Sequence, residues 1–122
     1  MAQFLLVEVV TDEPLDPDDP VVAAWQRLEG RTCAPPTETA VTRMLGHLGF
    51  DVRVSEDISV RHTAQTLHGW RCAVEALKND RPDARRAAPL VAEAELWMLR
   101  LRLIRTGRLR LMRWISLGSG AT

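Results

Sequence analysis

The feature that most constrains the fold is a short apolar run near the N-terminus, FLLVEVV at Phe4–Val10. Aliphatic and β-branched residues that do not alternate with polar ones are typical of a strand buried on both faces of a parallel sheet. Parallel strands are joined by long crossover connections, and these are usually helices. The run therefore predicts an α/β fold in which Phe4–Val10 is a core strand and not an edge strand.

The rest of the sequence alternates between helical and extended patterns. Proline and aspartate crowd residues 11–20, which predicts a loop after the first strand. The period of the apolar residues and the positions of capping residues then predict six further elements. They are a helix from Pro20 to Gly30, a helix over Thr37–Leu48, a strand over Gly49–Glu56, a long helix capped by Ser59, a helix over Pro89–Ile104, and a strand over Arg108–Ser116. The two long helices, separated by a break at 79–82, are expected to form a hairpin.

Length and charge indicate the class of protein. The 122 residues fit a single domain spanning 1–122, and no run approaches the roughly 18 apolar residues of a membrane span. No basic region precedes the first apolar stretch, so a secretory signal is not expected and we predict a cytoplasmic protein. The formal net charge is zero, which gives no reason to expect nucleic acid as a partner. Cys33 and Cys72 lack metal-ligand spacing, so we expect reduced thiols and no metal site.

An apolar strand, an acidic loop with a Trp-bearing helix, and a helix leading into LGFDVRVSEDIS at 48–59 together resemble the C-terminal half of a class I S-adenosylmethionine-dependent methyltransferase. The resemblance is to the small-molecule, type 11-like enzymes and covers nearly the whole chain. It implies a partial Rossmann-like fold of about three strands and four helices. Phe4–Val10, Gly49–Glu56 and Arg108–Ser116 would be the family's fifth, sixth and seventh strands, with the seventh antiparallel between the other two. The helical hairpin resembles an insertion that often forms part of the family's substrate pocket.

The chain departs from this family at the cofactor site. No GxGxG sequence follows a strand, and no acidic residue ends a second strand to bind the ribose hydroxyls. The resemblance therefore implies S-adenosylmethionine as cofactor and a small molecule as substrate, while the cofactor-binding motif is absent. We expect a methyltransferase-like protein that is inactive alone or is completed by a partner, either a missing N-terminal half or a second copy. The alternative is a non-catalytic, homodimerising interaction module, because an exposed apolar strand edge invites pairing with another chain.

His62 and Asp57 are the candidate catalytic residues. Asp57 follows a predicted strand and His62 lies in the first turn of the next helix, where family members can line the substrate pocket. A histidine beside a carboxylate can act as a general base. The alternative, favoured by ordinary cap preferences, is that Asp57 or Ser59 caps the helix.

Asp12, Trp25 and Glu56 are the candidate substrate-binding residues. Asp12 lies just past the carboxyl end of the first strand, the side on which the resemblance places the substrate, although a solvated loop aspartate is the simpler interpretation. Glu56 ends the next predicted strand, and the position of Trp25 suits a pocket or an interface. Glu8 lies within the apolar run, where an unpaired carboxylate is costly. We expect it to pair with Arg110 or Arg113 and to be structural, not catalytic.

Overall fold

The computed structural model of the chain describes residues 2–118. Within these residues the chain forms one sheet of three strands and four helices, which confirms the predicted α/β class and number of elements. In chain order they are β1 (Gln3–Val10), α1 (Pro20–Glu29), α2 (Glu38–His47), β2 (Phe50–Asp57), α3 (Ser59–Asn79), α4 (Ala84–Arg105) and β3 (Arg110–Gly118). None of the helices in this part of the chain is both long and apolar enough to span a bilayer.

The last strand of the chain occupies the middle of the sheet. The strand order is β1-β3-β2, and β3 is antiparallel to both of its neighbours. The predicted antiparallel orientation of the final strand is therefore confirmed. Because β1 and β2 both run opposite to β3, they are parallel to each other, and their carboxyl ends lie at the same edge of the sheet.

The prediction that Phe4–Val10 is a core strand buried on both faces is wrong. In the described part of the chain β1 pairs with β3 alone, so it is an edge strand. The side chains of Leu5 and Val7 are 59% and 46% exposed, while Val9 and Val10 are buried. The reason is that the helices that cover the sheet pack on the carboxyl end of β1 and leave the beginning of the strand open.

Two apolar clusters hold the helices on opposite faces of the sheet. On one face α1 and α4 pack against the strands through a cluster that includes the fully buried Trp25 and Leu103. On the other face α2 packs through a cluster that includes Leu45 and Trp114. Burial of large side chains such as these, at about 25 cal/mol per Å² of apolar surface, is the main source of stability for such a fold.

Two elements, α4 and β3, differ from their predicted bounds by two residues or more. α4 begins at Ala84 instead of Pro89, because the Asp83 carboxylate accepts a hydrogen bond from the Arg86 N–H at 2.8 Å and caps the helix. β3 runs to Gly118 and begins at Arg110 instead of Arg108. The N–H groups of the two preceding residues donate to the carbonyl of Leu103, so those residues still belong to the turn that ends α4.

The predicted hairpin is formed by α3 and α4. The indole rings of Trp70 and Trp97 meet edge to face, with centroids 5.7 Å apart. Along the same helices Val74 and Met98 remain 40% and 71% exposed. The two helices therefore contact each other at these aromatic residues and leave nearby apolar side chains exposed.

Candidate functional site

Three carboxylates converge on one arginine at the carboxyl ends of β1 and β2. Arg110, the first residue of β3, contacts both carboxylate oxygens of Asp12, with distances of 2.6 Å from Nη2 and 3.2 Å from Nε. The same Nη2 lies 3.3 Å from Oε2 of Glu38, and Nη1 lies 3.6 Å from Oδ2 of Asp57. The parallel course of β1 and β2 produces this arrangement, since both strands deliver acidic residues to the edge where β3 starts.

The contacts of this cluster shift the pKa values of Arg110 and Asp57. The hydrogen bond to Asp12 raises the pKa of Arg110, and that effect outweighs the opposing effect of burial. Burial alone would raise the pKa of the Asp57 carboxyl, but hydrogen bonds from Ser59 and the charge of Arg110 outweigh it, so its pKa lies below the ordinary value. Asp57 and Arg110 are therefore held in their charged forms near neutral pH.

Asp57 also caps the helix that follows it. Its Oδ1 accepts a hydrogen bond from the backbone N–H of Ser59 at 2.8 Å. Ser59, predicted to be the capping residue, is instead the first helical residue, and its hydroxyl oxygen accepts a hydrogen bond from the N–H of Leu111 at 2.9 Å. The prediction for Ser59 is therefore wrong, because its side chain is buried against β3 and not turned back to the helix.

Two further carboxylates, those of Glu56 and Glu8, also form ion pairs within the chain. Glu56 forms an ion pair with Arg113 on the neighbouring strand. Glu8 does bind an arginine, but the partner is Arg31, with Nη2 2.9 Å from its Oε1. The predicted partners of Glu8 were thus wrong, because Arg31 comes from the loop after α1, which no strand pattern indicates.

Trp25 lies in the core. Its side chain is fully buried in the cluster between α1 and α4. The guanidinium of Arg31 covers the indole ring at 5.3 Å from its centroid, a distance typical of a cation–π contact. Packing in the core accounts for the burial of Trp25, and a role of this residue in substrate binding stays a prediction.

His62 lies apart from the arginine cluster, in a cavity of about 230 Å³ between α3 and α4. The cavity is lined by His62, Thr66, Trp97, Arg100 and Leu101. Within residues 2–118 the His62 ring makes no hydrogen bond to Asp57, whose oxygens are bound to Ser59 and Arg110. The structure therefore separates the two candidate catalytic residues and leaves the histidine beside an arginine.

Burial, followed by the charge of Arg100, lowers the pKa of His62 below its ordinary value of 6.5. The unfolded chain then binds more protons than the folded protein as the pH falls below about 6.5, so the free energy of unfolding should decrease on acidification. Replacing His62 with glutamine should flatten this dependence between about pH 5 and 7, as measured by urea denaturation at a series of pH values. The control is His47→Gln, at an exposed position, which should keep the pH dependence of the free energy of unfolding. An unchanged pH dependence in His62→Gln would contradict the assignment of this effect to His62.

Other groups in the described residues do not form a metal site. Within residues 2–118, no group of three or more histidine, cysteine, aspartate or glutamate side chains has an arrangement that could hold a metal ion. Cys33 and Cys72 are both free thiols on the surface. The acidic residues that do cluster are neutralised by arginines, as described above.

Sequence reasoning missed Glu38, Arg31 and Arg100 as members of these clusters. Glu38 is the first residue of α2, and its contact with Arg110 joins positions 72 residues apart. Arg100 forms an ion pair with Glu29 of α1. The only available signal was that acidic residues prevail early in the chain and arginines late. This uneven distribution indicated that ion pairs would form, but not which residues would form them.

No model of a protein family matches this chain. No curated protein is significantly similar to it.

Proposed function

We propose that this chain is a methyltransferase-like protein, related to the small-molecule enzymes of class I, that is inactive alone and is completed by a partner chain. The observation that carries the proposal is the order β1-β3-β2 with β3 antiparallel in the middle. The hairpin of α3 and α4, placed immediately before β3, is the second feature expected from the resemblance. Because a fold alone does not imply a function, the residues that remain free for chemistry also matter.

The described residues do not fit S-adenosylmethionine. The chain has no glycine-rich turn between a strand and a helix to approach the cofactor closely. The carboxylates at the strand ends, Asp12 and Asp57, are bound to Arg110 and are not free for ribose hydroxyls. A partner would therefore have to supply the whole cofactor site, and no step that uses the cofactor is assigned to this chain.

His62 is the residue of this chain best suited to act on a small-molecule substrate. It borders a cavity with Trp97 and Arg100, and its lowered pKa keeps the ring neutral at pH 7. A neutral imidazole can accept a proton from an oxygen or nitrogen acceptor group. Asp57 would serve as a positioning residue, because its bond to Ser59 fixes the start of the helix that carries His62.

Binding of S-adenosylhomocysteine, the product of such enzymes, tests the proposal. The chain alone should show no change in thermal unfolding, whereas a site filled at 100 times the dissociation constant would add about 2.7 kcal/mol. A chimera that places the first four strands of a small-molecule class I enzyme before Ala2 should bind the product and be stabilised. The donor half alone is the control. A saturating shift with the chain alone, or a folded chimera that does not bind, would contradict the proposal.

A non-catalytic protein-interaction module is the second candidate. It is favoured by the exposed apolar side chains at the start of β1, since long apolar edges promote pairing with other chains.

We also propose a cytoplasmic location, which the two free surface thiols Cys33 and Cys72 support.

A further inference from the structure

The backbone groups on one side of β1 are hydrogen-bonded to β3. Those on the other side point to an open edge of the sheet. The N–H of Gly118 donates to the carbonyl of Ala2 at 2.6 Å. In an antiparallel ladder the bonded residues recur at every second position, so the even-numbered residues of β1 face β3. The backbone groups that point to the open edge therefore belong to Gln3, Leu5, Val7 and Val9.

Part of this edge is already closed by the chain itself. The outward N–H of Val9 donates to Oε1 of Glu8 at 2.9 Å, and the N–H of Thr11 donates to the carbonyl of Pro36 at 3.0 Å. Within residues 2–118 no group of the chain pairs in this way with Leu5 or Val7. These two residues also carry the most exposed side chains of the apolar strand, at 59% and 46%.

We propose that a second copy of this chain pairs with this edge, antiparallel, with Leu6 facing its own counterpart on a two-fold axis. In this register Leu5 of each copy lies opposite Val7 of the other. Each such pair exchanges two backbone hydrogen bonds, so the seam contains four. The two sheets then form one sheet of six strands, with the order β2-β3-β1-β1-β3-β2. This dimer is a specific form of the protein-interaction module proposed above, with its partner and its register named, and it rests on that second candidate function.

The sequence of β1 is self-complementary in this register. A two-fold interface requires that residue i contacts residue j and that j contacts i, which Leu5 and Val7 satisfy because they are equally spaced about Leu6. The apolar cross-strand pairs of Leu5 with Val7 stabilise the seam.

The charges of the strand fit the same register. Glu8 is the one charged residue of β1. It lies opposite Phe4 of the other copy and not opposite its own counterpart, where two like charges would be destabilising. Its charge is also balanced within its own chain by Arg31. A second copy therefore meets no unfavourable charge along the strand.

Sedimentation velocity over a hundredfold range of protein concentration tests the dimer. The wild-type chain should shift from monomer to dimer as the concentration rises. Val7→Lys places a charge at the seam and should remain monomeric, with an unchanged circular dichroism spectrum. Val60→Lys is the matched control, since Val60 is 87% exposed on α3, and it should dimerise like the wild type.

Disulfide crosslinking tests the register, in a background where Cys33 and Cys72 are replaced by serine. Two Leu6→Cys residues would face each other in a non-hydrogen-bonded pair, with Cα atoms about 4.5 Å apart, within the range of a disulfide. Two Phe4→Cys residues would be four positions out of line, about 14 Å apart. Oxidation should therefore crosslink Leu6→Cys and not Phe4→Cys.

Three results would overturn the proposal: a monomer at every concentration, a dimer that Val7→Lys leaves intact, or crosslinking through Phe4→Cys. A monomeric chain that instead binds a separate cofactor-binding half would assign the edge to that half. None of these results depends on the binding of S-adenosylhomocysteine by the chimera. Failure of the dimer and failure of the methyltransferase-like proposal are therefore distinguishable.

Discussion

Replacing Trp114 with alanine is expected to lower the free energy of unfolding by about 3–5 kcal/mol, the usual cost of removing a large aromatic side chain from a core. Trp114 is fully buried, and it packs with Val41, Leu45 and Met112 between α2 and the sheet. Its Nε1–H donates to the hydroxyl of Thr42 at 3.0 Å. The substitution would leave a cavity under α2 and remove the contact that holds this helix in place.

Urea denaturation followed by circular dichroism measures this effect. Trp114→Phe keeps most of the apolar volume and should cost less than the alanine variant. Thr42→Val keeps the packing but leaves the buried indole N–H without its acceptor, which should cost about 1–3 kcal/mol. A loss of less than 1 kcal/mol in Trp114→Ala would show that α2 does not depend on this residue.

Replacing Arg110 with methionine should lower the free energy of unfolding by about 1 kcal/mol at pH 7, because the partly exposed Asp12, Glu38 and Asp57 would then lie together without a cation. The pH dependence that comes from Asp57 should become weaker. In the wild type the lowered pKa of Asp57 contributes stability above about pH 4, and this contribution is lost as the pH falls through the folded-state pKa. In the variant the charge of Arg110 no longer lowers the pKa of Asp57, so less of this stability should be lost on acidification.

Denaturation at several pH values between neutral and acidic conditions provides the measurement for Arg110→Met. Arg53→Met is the matched control, because Arg53 forms an exposed pair with Asp51 at 2.8 Å, and both side chains are about 60% exposed. Such pairs contribute little. An Arg110→Met variant as stable as the control would mean that solvent already screens the cluster.

Local sequence patterns were sufficient to predict the elements of the fold. Helical spacing of apolar residues located α1 and α2, and alternation located β2 and β3, because these periods depend only on the geometry of a single element. The exposure of β1 could not be predicted in this way. An apolar run indicates the capacity to be buried, whereas burial itself depends on which helices cover the strand, and here only Val9 and Val10 of β1 are buried.

The candidate site shows the same limit. The acidic character of Asp12 and Asp57 at strand ends was evident from the sequence, but Asp12 is 98 residues from the arginine that binds it. Glu8 was expected to need a cation because a buried carboxylate is costly, and that requirement was met by Arg31. The cost of an unpaired buried charge therefore predicts that a partner exists, while the identity of the partner depends on the tertiary fold.

The central position of β3 has a consequence for how the protein is made. Neither β1 nor β2 is hydrogen-bonded to the other in the described chain, since each pairs with β3 alone. During synthesis, β1 and β2 therefore have no strand to pair with until residues 110–118 have left the ribosome. Until then, the backbone groups that later bond to β3 are bonded only to water. None of the three described strands can pair before β3 is present, and the pairing joins residues as far apart as Gln3 and Leu117. Long-range pairing of this kind is slow and leaves apolar segments open to aggregation in the interval.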